Sequence, residues 1–448
     1  MTQDFADLTA RLLNFARKAG ADQADAVARD GSSTSITVRG GKLEEAERSE
    51  GAEIGLRVLL GQRQACVSSS DLRDTAMEQM AARAVAMARE APEDPYIGLA
   101  DPDQLSDLRD GSALDMWDAT EAPSPEALMK DAIAAEEAAM AVGGVTQVQS
   151  AGATYGFSST VIAATNGFQG RFARTSRQTY CTAIAGTGTK MERDSDGDMR
   201  LHQSDLRSPA EIGTRAGERA VARLGAVQPP TGRYNVLFDE RISSSLIGHL
   251  LGAINGAAIA RGSSFLRNHL GKQVLPEALS VIEDPLRRRT SGSRPFDTEG
   301  LPTRRRAIVE NGILTGWTLD LASARKLGMA STANAARGTA SPPSPANWNI
   351  ELTEGTASRD DLLAQMGTGF LVTSLIGSTI NGNTGDYSRG ASGYWVENGK
   401  LSHPVAEGTI AGNLIDMLMR IIPANDARKH LSTIVPSILI EDMSIAGQ

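Results

Sequence analysis

The stretch YWVENGKL, residues 394–401, sets Asn-Gly between two β-like runs, and AIVENGIL, residues 307–314, repeats the arrangement. Asn and Gly both accept the positive φ of a type I′ turn, whose twist matches that of paired strands. Each stretch is therefore expected to be an antiparallel hairpin. Hairpins set beside runs of helix, rather than a strict strand–helix–strand alternation, argue for an α+β fold.

Working outward, FADLTARLLNFARKAG (5–20) predicts an amphipathic helix with Leu8, Leu12, Phe15 and Ala19 on one side and Gly20 as its stop. Short strands follow, with Gly40-Gly41 and Gly61-Gln62 as turns, then a helix from about Asp71 to Glu90. A Pro- and Asp-rich linker is expected over 92–123. The order then recurs: a helix opened by Ser124-Pro125 and running to Met140, strands around Asn166-Gly167, and a helix begun by the capping box SPAE (208–211) and ending near Gly225. The helix–strands–helix order used twice suggests a duplication within an N-terminal α+β domain over 1–227, as a structural echo and not a clean sequence repeat. QPPTGRY (228–234) marks the boundary to a β-rich C-terminal domain over 228–448. There the uncharged run 242–260 is expected to be one buried helix, 409–422 a helix stopped by Pro423, and the chain end β structure interrupted at Pro436.

The chain has 448 residues, a formal net charge of −9 and only 4% aromatics. That balance argues against a nucleic-acid or anionic-membrane coat. The basic clusters at 287–289 and 304–306 lack a basic helix or an aromatic platform, so they read as solvated or peptide-binding arginines. Cys66 and Cys181 are far apart and outside any motif, which suits buried thiols in a reducing cytoplasm. The N-terminal MTQDFADLTA has no apolar core of a signal peptide, and three Ser, three Gly, a His and an Asn weaken 242–260 as a membrane span.

Candidate sites are few. His249 stands in IGHLLG with Ser245, Leu246, Gly252 and Ala253 at helical spacing. A zinc-peptidase helix needs two imidazoles a turn apart and a carboxylate beside the first. Neither is present, so His249 reads as a neutral, hydrogen-bonded packing residue. DSDGD (194–198) lacks the calcium-loop spacing and reads as an Asp-Gly turn. GTGTK (186–190) and GASG (390–393) lack the spacing of a phosphate loop and of a nucleophile elbow. The glycine-rich segment 377–400 is either a solvated loop or a surface along which an extended peptide lies.

RPFDTEGLPTRRRAIVENGIL, TGDYSRGASGYWVENGKLSHPVAEGTIAGNL and the ending PSILIEDMSIAG resemble the TldD/PmbA family, also labelled modulators of DNA gyrase; GLRVLLGQRQACVSSSDL and RGSSFLRNHLGKQV extend the likeness over nearly the whole chain. The TldD branch carries His-Glu-x-x-x-His on the helix before the RGSS-like stretch and a cysteine ligand near its C-terminus. Laid on that pattern without a gap, Ile247, Gly248 and Gly252 take the places of the first His, the Glu and the second His, and no cysteine follows Cys181. The chain is thus similar to the PmbA, or TldE, branch. The resemblance implies no catalytic residue and no metal ligand in this chain, with zinc in a TldD-like partner subunit. It implies a cytoplasmic heterodimer that cleaves unstructured peptides, including peptide-antibiotic precursors and antitoxins. Asp386, Tyr387, Ser388, Gly390, Gly393 and Trp395 lie in the matching stretch and are the candidate peptide or partner surface. A homodimer of the chain in isolation is left open. A self-sufficient hydrolase and a non-enzymatic regulator binding DNA gyrase are the competing readings.

Overall fold

The computed structural model describes residues 4–447; of the N-terminal segment, Met1, Thr2 and Gln3 lie outside the described residues. The N-terminal half runs α1 (Phe5–Lys18), β1 (Gln23–Arg39), β2 (Lys42–Leu60), β3 (Arg63–Ser69), α2 (Asp74–Glu90), α3 (Pro125–Met140), β4 (Val145–Ala164), β5 (Gln169–Ala185), β6 (Glu192–Arg200) and α4 (Pro209–Ala222). All six strands form one antiparallel sheet, ordered β3-β2-β1-β4-β5-β6. The unit of helix, three strands and helix occurs twice, and the two copies meet where β1 pairs with β4. Leu8, Leu12, Met77 and Met80 pack one helix pair onto the sheet; Ala135, Ala139, Ile212 and Ala216 pack the other. Burying a Leu- or Met-sized side chain contributes roughly 1.5–3 kcal/mol.

Local chemistry explains the helix starts. Ser124 accepts from the Ala127 N–H and Ser208 from the Glu211 N–H, both at 3.2 Å. The expected capping box at 208–211 is half made, because the Glu211 carboxylate pairs with Arg207 at 3.3 Å. Strand alternation sends Ala24, Ala26 and Ala28 to the helices, and Asp25, Val27 and Arg29 to the other face, toward the C-terminal half.

The C-terminal half runs β7 (Gly232–Phe238), α5 (Ser244–Ala253), α6 (Gly256–Arg261), β8 (Val281–Glu283), β9 (Arg306–Glu310), β10 (Ile313–Leu314), α7 (Leu321–Leu327), β11 (Ala335–Ala336), β12 (Ser344–Pro345), β13 (Ile350–Leu352), α8 (Arg359–Met366), β14 (Gly369–Ile380), β15 (Asp386–Glu397), β16 (Lys400–Asn413), α9 (Leu414–Leu418), β17 (Ile422–Pro423), β18 (Thr433–Ile434) and β19 (Ile438–Ala446). Strands β16-β15-β14-β7-β19 close into a barrel through the pairing of β16 with β19, and β14 runs parallel to β7. A second sheet is ordered β10-β9-β8-β13-β18. Both Asn-Gly hairpins are present, with φ of 49° and 79° at Asn311-Gly312 and 50° and 74° at Asn398-Gly399. The fold is the expected α+β, with its β-rich part C-terminal.

Four local readings change. The uncharged run breaks into α5 and α6 because Asn255 caps α6, accepting from the Ala257 N–H at 3.0 Å. Residues 409–413 are strand rather than helix, because Thr409–Ala411 must pair with Ala446–Ser444 to close the barrel. DSDGD is not a turn: β6 runs through it, and Gly197 pairs with Tyr180. The segment 92–123 is a strap rather than a solvated linker, since Leu114 and Met116 are buried and the Ser106 N–H donates to the Gly300 carbonyl at 2.8 Å. Among the described residues no helix is long and apolar enough to cross a membrane.

Candidate functional site

A groove runs between the open face of the N-terminal sheet and the C-terminal domain. One part, about 1060 Å³, is walled by β5, β6, β14 and the outer side of α5 at Ser244, Ser245, Gly248 and Leu251. A second part, about 770 Å³, shares Arg241, Ser244 and Thr433 with the first and is walled by Asp198, Arg200, Arg428 and His430 among others. Helix α5 forms because its other side is apolar. Leu246, Ile247 and Leu250 are wholly buried in one cluster with Phe370, Trp395 and Ile410 of the barrel. Gly248 and Gly252 are exposed, and a Cβ added at either would meet nothing within 4 Å.

The charged lining is ordered by β6. Asp194, Asp196 and Asp198 alternate along the strand and so share the face that α4 covers, with Asp194 and Asp198 reaching the groove at the sheet edge. Asp196 pairs with Arg219 at 2.7 Å and Arg207 at 2.8 Å. Asp198 pairs with Arg200 at 2.9 Å and meets His430 at 3.6 Å. Asp194 reaches Arg241 at 3.4 Å and Arg223 at 3.6 Å. Burial, with Arg200 next, holds the His430 pKa below its ordinary value, against the pull of Asp198. The groove wall is therefore polar, and its acids are already matched by arginines.

His249 lies beside this wall. Its ring stands edge-on to Tyr387, with centroids 5.8 Å apart. Burial, with Arg389 second, lowers its pKa, so the neutral ring is favoured. The expected hydrogen bond is not made at Nε2, which is buried without a partner among the described residues, as are the Tyr387 hydroxyl and Arg389 Nε. Burial pushes the Tyr387 hydroxyl up to about 12. Burial likewise raises the Cys66 and Cys181 thiols, to about 11 and about 12, so both are protonated near neutrality.

The donor set does not fit a zinc site. Helix α5 offers one imidazole and no carboxylate or thiolate, Ile247 faces the apolar core, and Gly248 and Gly252 bring no side chain. Among the described residues no three His, Cys, Asp or Glu side chains gather as ligands for an ion.

Most of the glycine-rich stretch 377–400 is barrel strand rather than loop, the end of β14 and all of β15, with a turn at 381–385 between them. Tyr387, Gly393 and Trp395 are buried, and a Cβ at Gly393 would strike the Leu371 carbonyl, which explains the glycine. These three offer no exposed surface in this chain. Asp386 is exposed and held by Thr384 and Asn413. Ser388 and Gly390 are half-buried. The polar groove residues Asp198, Arg200, Arg241, Arg428 and His430 were not found from sequence. They are scattered over 230 positions, and only the two-residue spacing of the aspartates in DSDGD signalled a shared face. Of the basic cluster at 287–289, Arg289 pairs with Asp115 at 2.7 Å and Arg288 with Asp115 at 3.3 Å.

The duplicated sheet docked on a barrel is a fold shared with solved relatives. Models of the PmbA/TldA metallopeptidase domain 1, central domain and C-terminal domain match residues 24–88, 118–224 and 231–447. The metalloprotease PmbA of Escherichia coli O157:H7 is 36% identical over 415 residues, covering 92% of this chain and 90% of that protein. The PmbA homologue of Haemophilus influenzae is 36% identical over 440 residues, covering 97% and 94%. A crystal structure of a candidate modulator of DNA gyrase from Bacteroides thetaiotaomicron superposes with a TM-score of 0.90 at 28% identity, over the full length of both chains. TldE from Thermococcus kodakarensis shares the fold, with a TM-score of 0.86 at 20% identity over 98% of this chain and all of that one. The chain belongs to the PmbA/TldD family.

Proposed function

We propose that this chain is the non-metal-binding, PmbA/TldE-like subunit of a two-chain metallopeptidase that degrades or processes unstructured peptides in the cytoplasm. A TldD-like chain would supply zinc and the water-activating base; this chain would shape the peptide groove. The observation that carries the reading is α5, whose groove side presents Ser244, Ser245 and Gly248, with no ligand set. Metal-assisted hydrolysis requires an ion with an open position, a polarised water and a base, and α5 offers none of these. Positioning of substrate nonetheless contributes much of a peptidase's rate, so a subunit without metal can be indispensable. TldD homologues, such as that of Haemophilus influenzae at 27% identity over half of this chain, exist beside PmbA homologues and support a partnered assembly. The partner also has a strand to meet: β2 is exposed from Lys42 to Gly51, where β3 no longer pairs with it.

The test is elemental analysis of the purified chain beside turnover of an unstructured peptide, alone and mixed with a TldD-like chain from the same genome. Expected are no stoichiometric zinc and no turnover alone, and chelator-sensitive turnover in the mixture. Chelator-sensitive turnover by this chain alone, at the mixture's rate, would establish a self-sufficient enzyme instead.

A further inference from the structure

The wide groove leads to a smaller cavity of about 280 Å³ that shares Ser158 and Arg174 with it. Four arginines line this cavity. Arg337 is paired with Asp25; the other three are Arg29 from β1, Arg174 from β5 and Arg294 from the C-terminal domain. Arg29 donates to the Arg337 carbonyl at 2.7 Å, and Arg174 to the carbonyls of Ser291 and Ser293. Arg174 and Arg294 both stack on the Phe172 ring, at 5.4 and 5.2 Å, and Arg294 also lies 5.0 Å from the Trp348 ring. No carboxylate forms an ion pair with any of the three among the described residues. The two acids on the wall do not supply one. Asp297 accepts from the backbone N–H groups of Glu299, Leu301 and Ala335, and Asp30 pairs with none of the arginines. Burial, then mutual repulsion, lowers the Arg294 pKa to about 9 and that of Arg174 to about 10. Trp348, only 7% exposed, keeps on the same wall a buried indole N–H without a partner among the described residues.

Clustered cations without counterions are costly unless an anion completes them. Planar guanidinium forks favour carboxylate, which they hold in parallel pairs of charge-assisted hydrogen bonds. The cavity has room for about one residue, and its aromatic walls suit the apolar part of that residue.

We propose that the Arg29–Arg174–Arg294 pocket takes the carboxylate of a peptide lying in the adjoining groove, either its C-terminus or an acidic side chain. The proposal rests on the peptide reading above and adds a specificity to it: peptides with a free or acidic end are retained, and amidated neutral ones are not.

Calorimetric titration of the full chain tests it. The probes are N-acetylglycine and N-acetylglycine amide, then a neutral hexapeptide as free acid, as amide, and as amide with one Glu. The free acids should bind roughly tenfold or more tightly than their amides, since each charge-assisted contact is of that order. The difference should vanish in Arg174→Gln and Arg294→Gln, with Arg29→Gln, at an exposed position, as the variant least able to disturb folding. Rescue of the amide by its Glu assigns the side-chain source; its failure assigns the C-terminus. Equal binding of acid and amide, discrimination that survives in folded variants, or inorganic phosphate binding tighter than every carboxylate would each overturn the proposal. Discrimination confined to N-acetylglycine would uphold the carboxylate pocket and overturn the peptide that fills it.

Discussion

Two arginine clusters sit on the same face of the N-terminal sheet, four residues apart along β1, and they are built oppositely. Around Asp25, every charge is answered. Arg57 pairs with it at 2.5 Å, Arg337 reaches across from the C-terminal domain to the same carboxylate, and all three side chains are almost wholly buried. Around Arg29, Arg174 and Arg294, no charge is answered among the described residues, and the arginines line a cavity instead. The difference separates two uses of charge at one domain junction, one shut off from solvent and one reachable from it. A closed network has no valence left for a ligand and can only hold the halves together. An open one bridges the halves only through neutral carbonyls and keeps its charge for something that arrives.

That contrast is exposed to test most severely at Asp25. Asp25→Asn leaves Arg57 and Arg337 buried and unpaired, and breaking a buried pair in this way costs about 3–5 kcal/mol. A urea midpoint within error of the parent would show that the closed network holds nothing. A smaller, pH-dependent effect is expected from the acids beside Arg57. Burial, with the charge of Asp297 next, pushes Glu299 up to about 8, and burial pushes Asp297 up to about 7. Between the ordinary carboxylate range and those values the folded chain holds protons that the unfolded chain releases. Stability should therefore fall as pH rises from about 5 through about 8. Melting temperatures across that range should decline, and Glu299→Gln should flatten the decline while keeping an acceptor for the Leu321 N–H. A flat parent profile would mean that Arg57 answers these acids as well. The smallest effect belongs to the open cluster. Without ligand, Arg294→Gln removes repulsion as well as its stacking on Phe172 and Trp348, so stability should stay within about 1 kcal/mol of the parent. A loss comparable to that at Asp25 would make the two clusters alike and the cavity merely structural.

Some of this was written locally in the chain. Asn-Gly at 311–312 and 398–399 specifies its turn by backbone preference alone, and Ser124 and Ser208 cap their helices with bonds that span three residues. The duplication of helix, strands and helix was legible for the same reason, as was the empty ligand pattern at Ile247, Gly248 and Gly252 once the resemblance was seen. What depended on partners distant in sequence was not legible. Residues 409–413 have helical periodicity but become strand because β19 supplies backbone bonds that a helix would forgo at the barrel seam. Tyr387 and Trp395 sit in a glycine-rich run typical of a loop, yet the barrel closes over them. Arg29, Arg174 and Arg294 are unremarkable as three isolated basic residues separated by more than a hundred positions. Only the folding of one domain face onto another brings their charges together, because electrostatic repulsion and desolvation depend on distance in space, and sequence spacing does not encode it.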